Sequence, residues 1–155
     1  MGEAYFYHLT RQPLEEALPR LLTMALSREW RIAVRAQDGR RLDWLDQRLW
    51  MGRDEDFLPH GIAGGPHDAL QPVLLTTGAP ANDPACLMAV DGAEVAPEEV
   101  RAMERVCILF DGMDEMAVDQ ARGQWKALTG AGCGAQYWSE ESGKWEQKAR
   151  KEAAV

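Results

Sequence analysis

The sequence predicts an α/β protein, specifically a three-layer α/β/α single domain with a mostly parallel central sheet. Two observations carry that expectation. Short apolar runs of the kind that form buried strands alternate along the chain with segments of helical periodicity. The chain has 155 residues, 46% of them apolar and 27% charged, which suffices for one hydrophobic core and is too small to divide comfortably into two. The domain is therefore taken as residues 1–155, with a tail expected to be mobile from about residue 149.

The strand candidates are residues 5–9, 31–36, 73–77, 86–90 and 105–110. Between the first two, Leu14, Leu18, Leu21, Leu22 and Ala25 fall on one helical face, with Pro19 either kinking that helix or marking its start. Asp38-Gly39 makes a turn before a second helix over 40–50, which buries Leu42, Leu45 and Leu49 at spacings of three and four. Residues 53–72, with an acidic cluster, Pro59, Pro66 and Pro72, and Gly61, Gly64 and Gly65, read as a long ordered loop. Loops of that length within a compact domain are often binding surfaces. Pro97-Glu98-Glu99 opens a short helix with acids in its first turn, where the helix dipole favours them. The longest helix is expected over 113–129, stopping at Gly130-Ala131-Gly132, and residues 135–140 and 144–148 suit a terminal strand or hairpin.

Net charge is −8, so the long-range field repels nucleic acid unless cations are gathered in one place. The tail Lys144-Trp145-Glu146-Gln147-Lys148-Ala149-Arg150-Lys151 is locally basic and is the one candidate for direct single-stranded nucleic-acid contact, although it also suits a solvated end. No apolar run approaches the roughly 20 residues that cross a bilayer. Met1 leads directly into a strand-like segment without a signal-peptide pattern, and the expected location is the cytoplasm. Cys86, Cys107 and Cys133 are widely spaced and are expected to be core thiols.

Catalytic patterns are incomplete. An apolar run ends at Asp111, with Asp114 and Glu115 close behind, as a magnesium-holding acid would in an NTPase, but no Gly-Lys-Ser/Thr phosphate loop exists in the chain. A degenerate P-loop-like nucleotide-binding protein is the alternative that this acid motivates. Gly130, Gly132 and Gly134 follow a helix and precede a strand, the reverse of the dinucleotide-binding order, and better suit a helix C-cap. His60 and His67 share the loop without a third suitably spaced ligand, so neither metal nor other cofactor is expected. Ser27, Ser139 and Ser142 lie outside any nucleophile-elbow pattern, which leaves no candidate catalytic residue.

The long helix is more informative. At about 100° per residue, Ala121 and Leu128 share the core line, Val118 and Trp125 stand roughly 40 to 60° from it, and Arg122 and Lys126 about 100 to 140°. An aromatic beside two cations suits a ligand that offers an apolar side chain and a carboxylate together, as a peptide end does. Spacing alone equally describes a half-buried Trp flanked by solvated charges.

The stretch Arg41-Leu42-Asp43, then Leu49-Trp50, then Phe57-Leu58-Pro59-His60-Gly61-Ile62-Ala63-Gly64 resembles the signature of the DNA polymerase III chi subunit family. So do the aromatic strand Tyr5-Phe6-Tyr7 and the helix bearing Ala121-Arg122 and Trp125-Lys126. The resemblance implies a non-catalytic adaptor linking the clamp loader to single-stranded-DNA-binding protein, whose acidic C-terminal tail ends in Pro-Phe. By resemblance the tail site comprises Arg122 and Lys126 as cations and Trp125 as the aromatic, while a further family cation falls at Val118. Trp50 and Phe57, with His60, match the surface that contacts the psi subunit or, alternatively, a repair helicase. DNA contact would then be indirect, and no membrane would be involved.

Overall fold

A computed structural model describes residues 2–50 and 59–153. The elements run β1 (Glu3–Leu9), α1 (Leu14–Ser27), β2 (Ile32–Arg35), α2 (Gly39–Trp50), β3 (Gly61–Ile62), β4 (Val73–Thr76), β5 (Cys86–Val90), α3 (Pro97–Ala102), β6 (Arg105–Asp111), α4 (Glu115–Gly130), β7 (Gly134–Ser139) and β8 (Glu146–Lys151). They build one sheet ordered β3-β4-β2-β5-β6-β1-β7-β8. All pairings are parallel except β7 with β8. The mostly parallel α/β architecture is the one that the alternating pattern predicts.

The order follows from chain direction. From β1 through β2 to β3 the chain moves toward one edge, and α1 and α2 cover one face; from β4 through β5 and β6 to β7 it moves back, and α3 and α4 cover the other. A reversal of direction with crossovers of constant hand puts helices on both faces and leaves a crevice at the carboxyl ends of the strands where the order turns. The central strands are buried on both sides, which is why β2, β4 and β5 are buried at every position.

Two cores result. Leu18 and Leu22 of α1 and Leu42, Leu45 and Leu49 of α2 pack on Val34, Leu75, Met88 and Leu109. Val100 of α3 and Ala121 and Leu128 of α4 pack on Phe6, Leu87 and Ile108. The three cysteines are buried thiols. A hydrogen bond with Cys86, together with burial, pushes the Cys107 thiol well above its ordinary pKa, so Cys107 remains a protonated packing group.

Several boundaries differ from the sequence expectation for local reasons. Pro19 lies inside a continuous α1 rather than at its start. The loop read over 53–72 contains the two-residue edge strand β3, too short for its alternation to register, and Arg53 to Leu58 lie outside the described residues. The terminal hairpin forms, with its second strand at Glu146–Lys151 and a register shift at Tyr137/Trp138. Among the described residues, no helix is long and apolar enough to cross a membrane.

Candidate functional site

Helix α4 is capped by Asp114, whose side chain accepts a hydrogen bond from the Met116 backbone at 3.0 Å, and it ends at Gly130. Gly132, at φ 91°, then takes the left-handed conformation that lets the chain turn into β7. The faces of the helix sort as the periodicity predicts. Ala121 and Leu128 are buried, Val118 and Trp125 are half-buried against the second core, and Arg122 and Lys126 are exposed. Among the described residues, neither cation has an ion-pair partner.

Trp125 rests on an aromatic bed that sequence reasoning missed. Its ring meets the fully buried Phe6 edge-on at 5.3 Å between centroids, and Tyr137 at 6.2 Å. Phe6 of β1 and Tyr137 of β7 are register partners, and their rings stack at 6.5 Å. Tyr137 in turn places its hydroxyl 2.8 Å from His8 Nδ1. His8 is pressed against Gly112, where an added Cβ would stand 1.8 Å from the imidazole, so this position demands glycine. Burial pushes the Tyr137 phenol above its ordinary pKa, and the nearby Arg122 cation pulls it partly back while Glu141 opposes that pull. Arg122 therefore stands within electrostatic reach of the aromatic bed. The alternation of β1 and β7 hints at these residues, but only the register brings them under Trp125.

Trp50 and His60, expected to belong to a second surface, lie at the other end of the sheet. Trp50, at the end of α2, is 53% exposed, and its ring lies 4.5 Å from that of His60. The buried His60 places Nε2 3.1 Å from Asp46 Oδ1, one turn back along α2. Trp50 and His60 thus share one corner beside β3 and β4, on the face opposite α4. Phe57, assigned to the same surface, lies outside the described residues.

The crevice at the turn of the sheet is arranged differently from a nucleotide site. The backbone N–H groups of Thr10, Arg11 and Gln12, in the loop from β1 to α1, donate to Glu140 Oε1 at 2.9, 2.8 and 3.2 Å. Gln12 Nε2 donates to Glu140 Oε2 at 3.0 Å. Successive backbone N–H groups after the first strand are where a nucleotide-binding fold seats phosphate. Here an internal carboxylate takes that seat. Asp111, the acid that suggested a nucleotide site, accepts from the Met113 backbone at 2.9 Å and closes a turn.

Comparison with known proteins places the chain, though not these individual features, in a family. A family model described as DNA polymerase III chi subunit, HolC, matches residues 1–136, a span that includes Arg122, Trp125 and Lys126 and ends one residue before Tyr137. The chain is also 21% identical over 122 residues to a probable DNA polymerase III subunit chi of Rickettsia prowazekii (strain Madrid E), covering 75% of this chain and 74% of that one.

Proposed function

Because this chain belongs to the DNA polymerase III chi subunit family, we propose that it serves that polymerase as a non-catalytic adaptor, linking the clamp loader to the acidic C-terminal tail of single-stranded-DNA-binding protein. Family membership itself gives the chain an accessory place in the replication machinery. The finer reading, the tail as ligand, rests on one observation above others. In a protein of net charge −8, α4 exposes two cations without ion-pair partners among the described residues, beside a half-buried Trp on an aromatic bed.

An acidic peptide ending in Pro-Phe offers complementary groups. Its terminal carboxylate would take the Arg122 guanidinium, which can grip both oxygens at once, and Lys126 would face the upstream acids. Its ring and proline would cover Trp125 and the apolar margin at Val118. The departure from the family pattern at Val118 leaves Arg122 and Lys126 to supply the positive charge. Trp50, His60 and Phe57 form the second half of the proposal, a surface for the psi subunit or a repair helicase. Its separation from α4 by the width of the sheet would let one molecule hold two partners simultaneously. The decisive experiment titrates a fluorescent peptide carrying the tail into the protein, and absence of saturable binding at low salt would overturn the tail assignment.

A further inference from the structure

The sheet continues past β7 by one strand. β8 pairs with β7 so that Lys151 stands opposite Ala135, and Ala149 opposite Tyr137. Partners in such a register point to the same face of the sheet, and Ala135 and Tyr137 both belong to the core beneath α4. Ala149 and Lys151 therefore face the α4 side, where both are exposed. The result is an open ledge floored by Tyr137 and Ala149, with α4 as its wall and Lys151 at its rim.

Contacts on its two sides fix which flank of α4 looks over this ledge. On one side Gln124 donates to the Ala93 carbonyl and Gln120 lies beside Gly92, so that flank faces the end of β5. On the other, Trp125 meets Tyr137, and Arg122 stands within electrostatic reach of the same phenol. Arg122 and Lys126 thus belong to the ledge side. Glu115 and Asp119 lie within about 60° of them around the helix, so this flank of α4 taken alone carries as many acids as cations. The balance changes along its length. The chain leaves α4 at Gly130 and enters β7 at Gly134, so Ala135, and with it Lys151, lies level with the C-terminal end of the helix, away from both acids. Lys151 has no ion-pair partner among the described residues, whereas its neighbour Arg150 turns to the opposite face, 4.0 Å from Glu3 and 3.3 Å from Glu152.

We infer that Lys151 is a further recognition residue of the tail site, and that the upstream acids of the bound peptide lie across the ledge between Lys126 and Lys151. The inference rests on the reading of α4 as the seat of an acidic tail. With the terminal carboxylate on Arg122, such a peptide has two directions open to it along the helix. Toward Glu115 and Asp119 its acids are repelled. Toward Lys126 they meet a second cation and, across Tyr137 and Ala149, a third.

The test uses a peptide labelled at its N-terminus, a run of aspartates followed by Pro-Phe, and its counterpart with asparagines in place of the aspartates, each titrated at low salt into the full chain. Lys151→Ala should weaken the aspartate peptide about two- to fivefold and Lys151→Glu about tenfold, while Lys151→Arg binds as wild type does. The asparagine peptide should not distinguish these variants. Arg150→Ala removes the same charge from the other face and should leave both affinities unchanged. In the ¹⁵N-labelled chain the aspartate peptide should shift the amides of Tyr137, Ala149 and Lys151 together with those of α4. If Arg122→Ala loses affinity but the Lys151 variants do not, or if the shifts stop at α4, the ledge is overturned and the tail reading stands. An Arg150→Ala loss equal to that of Lys151→Ala, or an equal loss for both peptides, would also overturn it, since neither requires an acid at Lys151. Absence of saturable binding to wild type would overturn the ledge and the tail reading together.

Discussion

Arg35 at the end of β2 forks onto Glu99 of α3, with NH1 donating to Oε1 at 2.9 Å and NH2 to Oε2 at 2.6 Å. The guanidinium is buried, and it also donates to the carbonyls of Gly78 and Glu94 at 3.1 and 2.9 Å. One cation thereby fastens a central strand to a helix and two connecting segments. Hydrogen bonding to Arg35 outweighs burial and, with the Ala96 backbone N–H, holds the Glu99 carboxyl below the ordinary glutamate value of 4.5.

Glu99→Gln keeps an acceptor for the Ala96 backbone N–H but leaves Arg35 buried without its counter-charge. We expect a loss of about 2 kcal/mol at neutral pH in urea melts. Because the folded-state pKa is depressed, the carboxylate's contribution is present above the ordinary glutamate value and is lost as pH falls through the lowered one. The gap between wild type and variant should therefore close in acid. A gap that stays constant down to strongly acidic pH would mean that the ion pair contributes nothing.

Arg122→Ala tests the tail site directly. The side chain is exposed and lies off the core face of α4, so the melting temperature should hardly move. Affinity for the tail peptide, read by fluorescence anisotropy at moderate salt, should fall roughly ten- to a hundredfold, with Lys126→Ala milder. Deleting the peptide's final Phe should be about as damaging as losing Arg122, and wild-type affinity should weaken as salt rises. Wild-type binding by Arg122→Ala would place the tail elsewhere.

Trp50→Ala should release the clamp-loader or helicase partner in a pull-down while leaving tail-peptide affinity unchanged, because the two surfaces lie at opposite ends of the sheet. With the ring half-exposed, the variant should stay folded and lose no more than about 1 kcal/mol. Phe57→Ala should release the same partner in the pull-down. If both variants retain every partner that wild type captures, the corner formed by Trp50 and His60 is packing and nothing else.

How much of this was legible in the sequence depended on the reach of each signal. The graded face of α4, from Leu128 through Trp125 to Lys126, is a local consequence of helical period and could be read directly. Continuous apolar runs marked β1, β2, β4, β5 and β6 because each is at least four residues long and largely buried. The pair Gly61–Ile62 is too short to alternate, so β3 was hidden inside a loop. The Phe6, His8 and Tyr137 bed depends on the register between β1 and β7, which no local pattern specifies. Glu140 was the least visible, since an acid read as the last residue of a terminal strand suggests a solvated end until the fold brings it against a loop 128 to 130 residues away.

That carboxylate supports the last prediction. Burial pushes the Glu140 carboxyl up, but the Arg11 backbone N–H, the Gln12 amide and the backbone N–H groups of Thr10 and Gln12 outweigh it and hold the group below the usual carboxylate range. Glu140→Ala would leave three backbone donors unmatched in a half-buried loop and untie β7 from the start of α1, so stability should fall by about 2 to 4 kcal/mol. The emptied seat would then consist of converging N–H groups after a first strand, an arrangement suited to a small anion. Millimolar phosphate or sulfate should therefore raise the melting temperature of Glu140→Ala by several degrees while leaving wild type almost unmoved, once ionic strength is matched with chloride. Glu140→Gln separates charge from shape: its amide oxygen can still accept, so it should lose less stability than the alanine variant and gain little from the anion. If phosphate and chloride act alike on Glu140→Ala, the loop does not form an anion seat, and the carboxylate serves only as a tether between the two segments.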